Sequence, residues 1–233
     1  NITWTRTGSI ANAKLEYSTN GGTTYPNLIV ASTPAAALSY PWTIPDSIDN
    51  DIRVKISDAS DATVFDTSDN NFNIIGGFTI SQPNGSEVWT VNESRDILWT
   101  TAGTVANVRL DYSTDGGISY PNNIILSTPN NNSYSWTVPD SISNTVKVKV
   151  SDASNSDAFD VSNSNFKIRG ALTVTAPNGF EGWQINTHQN ITWTKVGSIA
   201  NVKLEYSTNG FADETQTFLI AASVDATTGT PYD

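Results

Sequence analysis

The chain contains no cysteine and no methionine in its 233 residues. Disulfides, thiolate metal sites and a cysteine nucleophile all need a thiol, so the sequence excludes them. Histidine is nearly absent too, because His188 is the single copy. A chain without oxidisable sulfur suits an oxidising exterior, and we therefore expect an extracellular or cell-surface location.

Basic residues are also scarce. Lysine and arginine number 12 against 23 aspartates and glutamates, which gives a formal net charge of -11 and a pI of about 4.3. A groove that follows nucleic acid needs clustered basic side chains, and an acidic surface is repelled by anionic lipid. No apolar run approaches the roughly 20 residues that span a bilayer as a helix. We expect neither a nucleic-acid partner nor membrane insertion in this segment.

The most informative feature is an internal repeat. The stretch "NITWT" at Asn1 returns as "DILWT" at Asp96 and as "NITWT" at Asn190. The stretch "SYPWTIPDSI" at Ser39 returns as "SYSWTVPDSI" at Ser133, and the offset is always 94 or 95 residues. This period is too long for a solenoid unit and fits an independently folding sandwich of about 100 residues. The sequence therefore predicts tandem domains.

Three repeats of unequal length follow from these offsets. The segment "PNGxExW", which opens the second repeat at Pro83 and the third at Pro177, has no copy in the first. We therefore expect the first repeat to lack its N-terminal strand region. The third repeat stops at Asp233, before any counterpart of Trp136, and is expected to be truncated at its C-terminal end. The predicted domains are 1–75, 77–169 (the complete copy) and 171–233.

Period-two alternation indicates strands throughout. In "NVRLDYS" the side chains of Val108, Leu110 and Tyr112 share one face of the strand. In "VKVKV" the three valines at positions 146, 148 and 150 share one face of a second strand. No segment shows a helical period. Short strands separated by turn signals predict an all-β fold of tandem immunoglobulin-like (Greek-key) antiparallel β-sandwiches, with about seven strands in the complete copy.

All seven tryptophans fall at three repeat positions. Trp99 and Trp136 are in phase with inward aliphatic residues, which predicts core packing. Trp89 and Trp183 follow a turn, and two interpretations stay open for them. They pack in the core, or their rings form a surface on which a glycan stacks.

The middle repeat resembles a known family. Trp89 and the stretches 97–100, 134–139 and 148–155 are similar to the immunoglobulin-like repeat of the fungal cell-wall Kre9/Knh1-type domain and its bacterial surface-protein counterparts. The resemblance implies an immunoglobulin-like fold and a role as a spacer in surface or secreted proteins. It implies no particular ligand, since a fold alone does not give a function.

The turn "STDGGISY" at Ser113 resembles the Asp-box, a β-hairpin turn found in sialidases and in unrelated β-proteins. In an Asp-box the aspartate is structural, so the resemblance implies no glycosidase activity. Asn20 and Asn209 stand at the position of Asp115, and Phe211 replaces the second glycine in the third copy. We expect hairpin turns here, with copy-specific recognition only at the divergent third turn.

The remaining candidates for catalysis or metal binding are the acidic residues. They recur in successive repeats, whereas a catalytic pair would occur once, so we expect no catalytic residue, no cofactor and no enzyme activity. Calcium, which prefers oxygen ligands, is the alternative to a solvated turn for the acid-rich segments. The calcium candidates are Asp58, Asp61, Asp66, Asp152 and Asp160.

These patterns favour a structural role. Roughly two residues link consecutive repeats, and so short a joint predicts a semi-rigid rod. We expect a stalk, adhesin shaft or filament subunit whose partners are the neighbouring repeats and, through strand addition, other copies of the chain. The alternative is an accessory module of a secreted enzyme that binds surface glycans through Trp89 and Trp183.

Overall fold

The computed structural model describes residues 1–226, and in that range the chain is all-β. Twenty strands are joined by turns and by two single-turn 3₁₀ segments, Ala35–Ala37 and Glu214–Gln216. No helix among the described residues is long and apolar enough to span a membrane. The predicted all-β class is confirmed.

The middle repeat is a two-sheet β-sandwich. One sheet has the strand order β13-β10-β8, and the other has the order β12-β11-β14-β16-β9 with β15 paired to β14. The chain crosses between sheets at β8–β9, β9–β10, β10–β11, β12–β13 and β13–β14, as in immunoglobulin-like sandwiches. The strands are β8 (Gly77–Gln82), β9 (Val88–Thr90), β10 (Ser94–Ala102), β11 (Asn107–Ser113), β12 (Asn122–Pro129), β13 (Ser133–Thr137), β14 (Ser143–Asp152), β15 (Phe159–Val161) and β16 (Phe166–Arg169).

The core of this repeat lies between its two sheets. Alternation along β11 and β14 turns one face of each strand inward, so that Leu110 and Val148 are fully buried. From the opposite sheet Ile97 and Trp99 close the core. The alternation seen in the sequence thus predicts the inward face correctly.

Two details depart from the expected pattern. Strands β9 and β16 pair in parallel, through Ile168 opposite Trp89, whereas the other pairings between described strands are antiparallel. The repeat has nine strands where about seven were expected, because β9 and β15 are three-residue segments that sequence alternation is too short to reveal.

The first repeat forms two sheets of the same kind. Its β1 pairs with β4, and a larger sheet has the order β3-β2-β5-β6 with β7 paired to β5. A smaller core includes Tyr17, Ile52 and Ile74. The strands are β1 (Ile2–Thr3), β2 (Asn12–Ser18), β3 (Asn27–Pro34), β4 (Ser39–Tyr40), β5 (Asp49–Asp58), β6 (Phe65–Thr67) and β7 (Phe72–Ile74).

The third repeat contributes two hairpin-like pairs, β17 with β18 and β19 with β20. Trp193 and Val202 are buried between them. The strands are β17 (Ala171–Ala176), β18 (Thr192–Val196), β19 (Asn201–Ser207) and β20 (Thr217–Asp225). The end of the predicted third domain, residues 227–233, lies outside the described residues.

Candidate functional site: the joints between repeats and a tryptophan groove

A carboxylate of the first repeat holds a turn of the second. Asp46 Oδ1 accepts a hydrogen bond of 2.9 Å from the backbone N–H of Thr104. Asp46 Oδ2 accepts a second bond of 2.5 Å from the Thr104 hydroxyl. Thr104 lies in the turn between β10 and β11. Both carboxylate oxygens are used, and such a two-point, charge-assisted contact fixes orientation as well as distance.

The same contact recurs one repeat further along. Asp140 Oδ1 accepts a bond of 2.8 Å from the backbone N–H of Ser198, and Oδ2 accepts one of 2.5 Å from its hydroxyl. In both contacts the partners are 58 residues apart. Serine replaces threonine without loss, because the contact needs only the N–H and the hydroxyl. We call these two contacts, with the linker glycines described below, the repeat joints.

Each joint carboxylate is tied to the core of its own repeat. The Tyr17 hydroxyl lies 3.0 Å from Ser47 Oγ, and the Tyr112 hydroxyl lies 2.9 Å from Ser141 Oγ. The two serines directly follow the joint aspartates in the chain. The two tyrosines are buried on β2 and β11, so the turn that presents each carboxylate is anchored in a sheet.

A glycine in each linker packs directly against the neighbouring turn. A Cβ on Gly76 would lie 2.4 Å from Val105 Cγ2, and a Cβ on Gly170 would lie 2.5 Å from the Val196 carbonyl oxygen. Side-chain atoms do not approach other atoms that closely, so a larger residue would push the two repeats apart. Ile48 adds an apolar contact by packing against the middle core. The linker is therefore part of the contact rather than a free tether.

Hydrogen bonding lowers the pKa of both joint carboxyls. The Thr104 hydroxyl and then its backbone N–H lower the pKa of Asp46 below its ordinary 3.8. The corresponding groups of Ser198, with a smaller effect of Lys195, lower the pKa of Asp140. Both groups are ionised at neutral pH, which is the form that can accept two hydrogen bonds.

The first repeat also contains an apolar cavity of about 260 Å³, which we call the tryptophan groove. Its lining residues are Asn1, Ile2, Trp42, Ile44, Val54 and Phe72. In the middle repeat the counterparts of the two aromatic residues are Trp136 and Phe166. Their ring centroids lie 6.0 and 4.9 Å from that of Trp89. The groove therefore has the lining of a tryptophan pocket.

Trp89 itself does not form a glycan surface, which corrects that expectation. Its side chain is 3% exposed and packs among the core residues of the middle repeat. A sugar needs an open ring face for stacking, and the rings of Trp136 and Phe166 cover this one. Of the two interpretations, core packing and a glycan-stacking surface, the structure therefore favours core packing for Trp89.

Trp183 occupies the equivalent position in the third repeat but is 44% exposed. Its local turn is nevertheless the same: Glu181 accepts hydrogen bonds from the N–H groups of Asn178 and Gly179, both at 2.7 Å. Glu87 does the same for Asn84 and Gly85 in the middle repeat. The structure therefore separates the two predicted ligand residues, with one in a core and one at a surface.

The calcium candidates act mainly as acceptors within turns. Asp58, Asp61 and Asp152 each accept hydrogen bonds from the backbone N–H and hydroxyl of the residue two positions ahead. Asp160 accepts a bond of 2.7 Å from the N–H of Ile80, and Asp66 lies on β6. Among residues 1–226, no three acidic or histidine side chains are grouped so as to hold a metal ion.

The glycine-rich turns are organised by a serine, which is buried in the first two copies and half-buried in the third. Ser113 Oγ accepts hydrogen bonds from the N–H groups of Asp115 and Gly117, and donates to the Asp115 carboxylate. Bonds from Ser113 and Ser119 lower the pKa of Asp115 well below its usual range. In the third copy Ser207 Oγ still accepts from the N–H of Phe211 at 2.9 Å. The turn is a hydrogen-bonded hairpin connection in all three copies.

No protein-family model matches the chain, and no curated protein is similar to it. Among solved structures, the chain is similar to Clostridium thermocellum CbhA fibronectin(III)-like modules. The sequence identity is 18%, the TM-score is 0.26, and the match covers 70% of this chain and 83% of that one. A likeness at this TM-score carries no argument about function.

Proposed function

We propose that this chain is a non-enzymatic structural segment of a large extracellular or cell-surface protein, built as a tandem array of immunoglobulin-like domains. The observation that carries the proposal is the duplicated joint. Asp46 with Thr104 and Asp140 with Ser198 form the same two-point contact at two successive boundaries. A joint repeated with its geometry sets the same orientation between successive units, which is the property a stalk requires.

Other features support this role. The sulfur-free, acidic composition suits an exposed surface protein, and net charge far from zero favours solubility. The resemblance of the middle repeat to Kre9/Knh1-type domains supports a spacer module, and the resemblance of its turn to an Asp-box does not imply glycosidase activity. The alternative of a glycan-binding module loses Trp89 to the core and rests on Trp183 alone.

The test is small-angle X-ray scattering on the monomeric 1–233 chain. Wild type should give a narrow distribution of end-to-end distances, because the joints restrict rotation between repeats. The double variant Asp46→Ala, Asp140→Ala should give a broader distribution that is shifted to shorter end-to-end distances. Circular dichroism should show that each repeat stays folded. Asp69→Ala is the matched control, since this aspartate is exposed between β6 and β7, in a turn that contributes no residue to either repeat joint. A distribution that is unchanged in the double variant would overturn the role assigned to the joints.

A further inference from the structure

We propose that the outward face of the larger sheet binds a polysaccharide with carboxylate-bearing sugars, at one site in each of the first two repeats. The centre of the site is Lys149 with Phe159 in the middle repeat, and Lys55 with Phe65 in the first. We call each lysine–phenylalanine pair an anion platform. The inference goes beyond the proposed structural role. The platforms share no residue with the repeat joints or the tryptophan groove, and no tryptophan belongs to them.

The strand pairs β11–β14 and β2–β5 present the same order of charges on their outward face. In each copy a basic and an acidic residue of one strand lie opposite a serine and a lysine of the other. The opposed pairs are Arg109–Ser151 and Asp111–Lys149 in the middle repeat, and Lys14–Ser57 and Glu16–Lys55 in the first. Opposed residues of an antiparallel pair share one face of the sheet. In the middle repeat that face points outward, because the intervening Leu110 and Val150 are fully buried in the core.

The acidic residue of each face is already paired with the basic residue of its own strand. Asp111 Oδ2 accepts a hydrogen bond of 2.7 Å from Arg109 Nε, and Asp111 Oδ1 accepts one of 3.0 Å from Nη2. In the first repeat Glu16 Oε1 lies 2.6 Å from Lys14 Nζ. The platform lysines face these two carboxylates across the strands, yet within residues 1–226 neither ammonium forms an ion pair. Both ammonium groups therefore keep their charge for an external anion.

The ammonium of each platform lysine lies over an exposed aromatic ring instead. Lys149 Nζ is 4.3 Å from the ring centroid of Phe159, and Lys55 Nζ is 4.5 Å from that of Phe65. Lys55 Nζ is also 5.8 Å from the ring centroid of Tyr25. A cation–π contact attracts the ammonium without neutralising it, unlike an ion pair. The two phenylalanines remain 50% and 58% exposed, so each platform holds a positive charge beside an open apolar ring.

Backbone pairing places the ring beside the lysine. On β15, Phe159 lies opposite Ser151, and Val161 lies opposite Lys149. Lys149 and Phe159 are thus diagonal neighbours on one face, a distance that long and aromatic side chains bridge. In the first repeat β6 places Phe65 in the same relation to its lysine. The platform is therefore formed before any ligand arrives, which lowers the entropic cost of binding.

The chemistry of the platform favours an anionic sugar. An ammonium pairs with a carboxylate, and an exposed ring offers its face to the C–H groups of a pyranose. A uronic acid residue carries both features on one rigid ring, whereas an acidic peptide side chain carries the carboxylate alone. The chain as a whole has a net charge of -11, but at physiological salt charges further away than about 8 Å are screened. The local positive charge of the platform therefore decides which ligand is attracted.

The duplication of the platform favours a polymer over a single sugar. The lysines at 55 and 149 are separated by the same 94 residues as the phenylalanines at 65 and 159. A ligand that repeats along its own length can occupy both platforms of one chain. Its second contact is then intramolecular, which raises the overall affinity without any new kind of contact.

The first experiment measures binding of the 1–233 chain to polygalacturonate by isothermal titration calorimetry. Wild type should bind this uronic acid polymer, more weakly as salt is added, and should not bind uncharged dextran. Lys149→Gln should weaken binding about two- to fivefold, the effect of one exposed ion pair. The double variant Lys55→Gln, Lys149→Gln should weaken it further. Arg95→Gln is the matched control, because it removes one positive charge from β10 in the opposite sheet.

The second experiment separates the ring from the charge. Phe159→Leu keeps an apolar side chain but removes the ring, and it should weaken binding about two- to tenfold, the range for one aromatic contact. Phe159→Tyr keeps the ring, and Lys149→Arg keeps the charge, so both should bind nearly as wild type does. Circular dichroism on each variant checks that the repeat stays folded.

Four results would overturn the inference. The first is a wild-type chain that does not bind polygalacturonate, and the second is equal loss of binding in Lys149→Gln and Arg95→Gln. The third is binding of polyglutamate that is as tight and that Phe159→Leu leaves unchanged, which would assign the face to acidic polypeptides. The fourth is self-association in sedimentation velocity that Lys149→Gln abolishes, which would assign the face to a second copy. The joint proposal would survive all four, because scattering on the monomer tests it separately.

Discussion

Replacing Trp89 with alanine should destabilise the middle repeat by about 3–5 kcal/mol, the range for truncating a buried tryptophan. The side chain is 3% exposed and contacts the rings of Trp136 and Phe166. A buried tryptophan removes roughly 150–250 Å² from water, and about 25 cal/mol per Å² gives roughly 4–6 kcal/mol for the whole side chain. The expected loss of stability is somewhat smaller than this figure, because alanine still buries a small part of that area and the surrounding side chains relax into part of the cavity.

Native-state hydrogen exchange read by mass spectrometry measures this loss within one repeat. Amides of β14, at the centre of the larger sheet, should exchange roughly 150- to 5000-fold faster in Trp89→Ala if exchange follows opening of the whole repeat. Trp183→Ala is the control, because Trp183 belongs to the third repeat and should leave β14 exchange unchanged. An increase of less than about fivefold, near 1 kcal/mol, would refute the core assignment and restore a surface role for Trp89.

Three further predictions concern the joints and the turn. Asp46 and Asp140 have a lowered pKa in the folded protein. Their contribution to the joints is therefore fully present above the ordinary carboxyl value of 3.8 and is lost as pH falls through the lower folded value. Scattering should show a broader distribution of end-to-end distances only at such acidic pH. Gly170→Ala should disturb the second joint, because its Cβ would meet a carbonyl oxygen at 2.5 Å, and should broaden the distance distribution, whereas Gly182→Ala, whose Cβ would contact nothing, should not. Ser113→Ala removes the acceptor of two turn N–H groups and should cost about 1–3 kcal/mol, seen as faster exchange at the hairpin.

The sequence alone carries much of the fold. Alternation along β11 and β14 is regular over seven and ten residues, long enough to reveal which face is buried. The repeat then extends this assignment to copies with weaker patterns. Strand β9 could not be found in this way, because three residues do not show a period and its parallel partner is 79 residues away at Lys167.

The joints were missed for a different physical reason. Each one connects residues 58 apart in sequence, and nothing in a single aspartate shows that it will face another repeat. The available signal was that two short motifs recur together. In both copies of "PDSI", at Pro45 and Pro139, a threonine or serine that follows a glycine lies 58 residues after the aspartate. A recurring pair at constant spacing predicts a contact only when the chain geometry between the two is also known.

The tryptophan positions show why a motif does not decide a role without its surroundings. Pro83 and Pro177 begin the same "PNGxExW" segment, and the carboxylate that follows shapes the same turn in both copies. The rings that follow differ only in what lies beside them: one is enclosed by the strands of its own repeat, and the other is 44% exposed. A ring that is buried in one copy is therefore exposed in another without any change in its motif, so the motif alone does not assign the role of the ring.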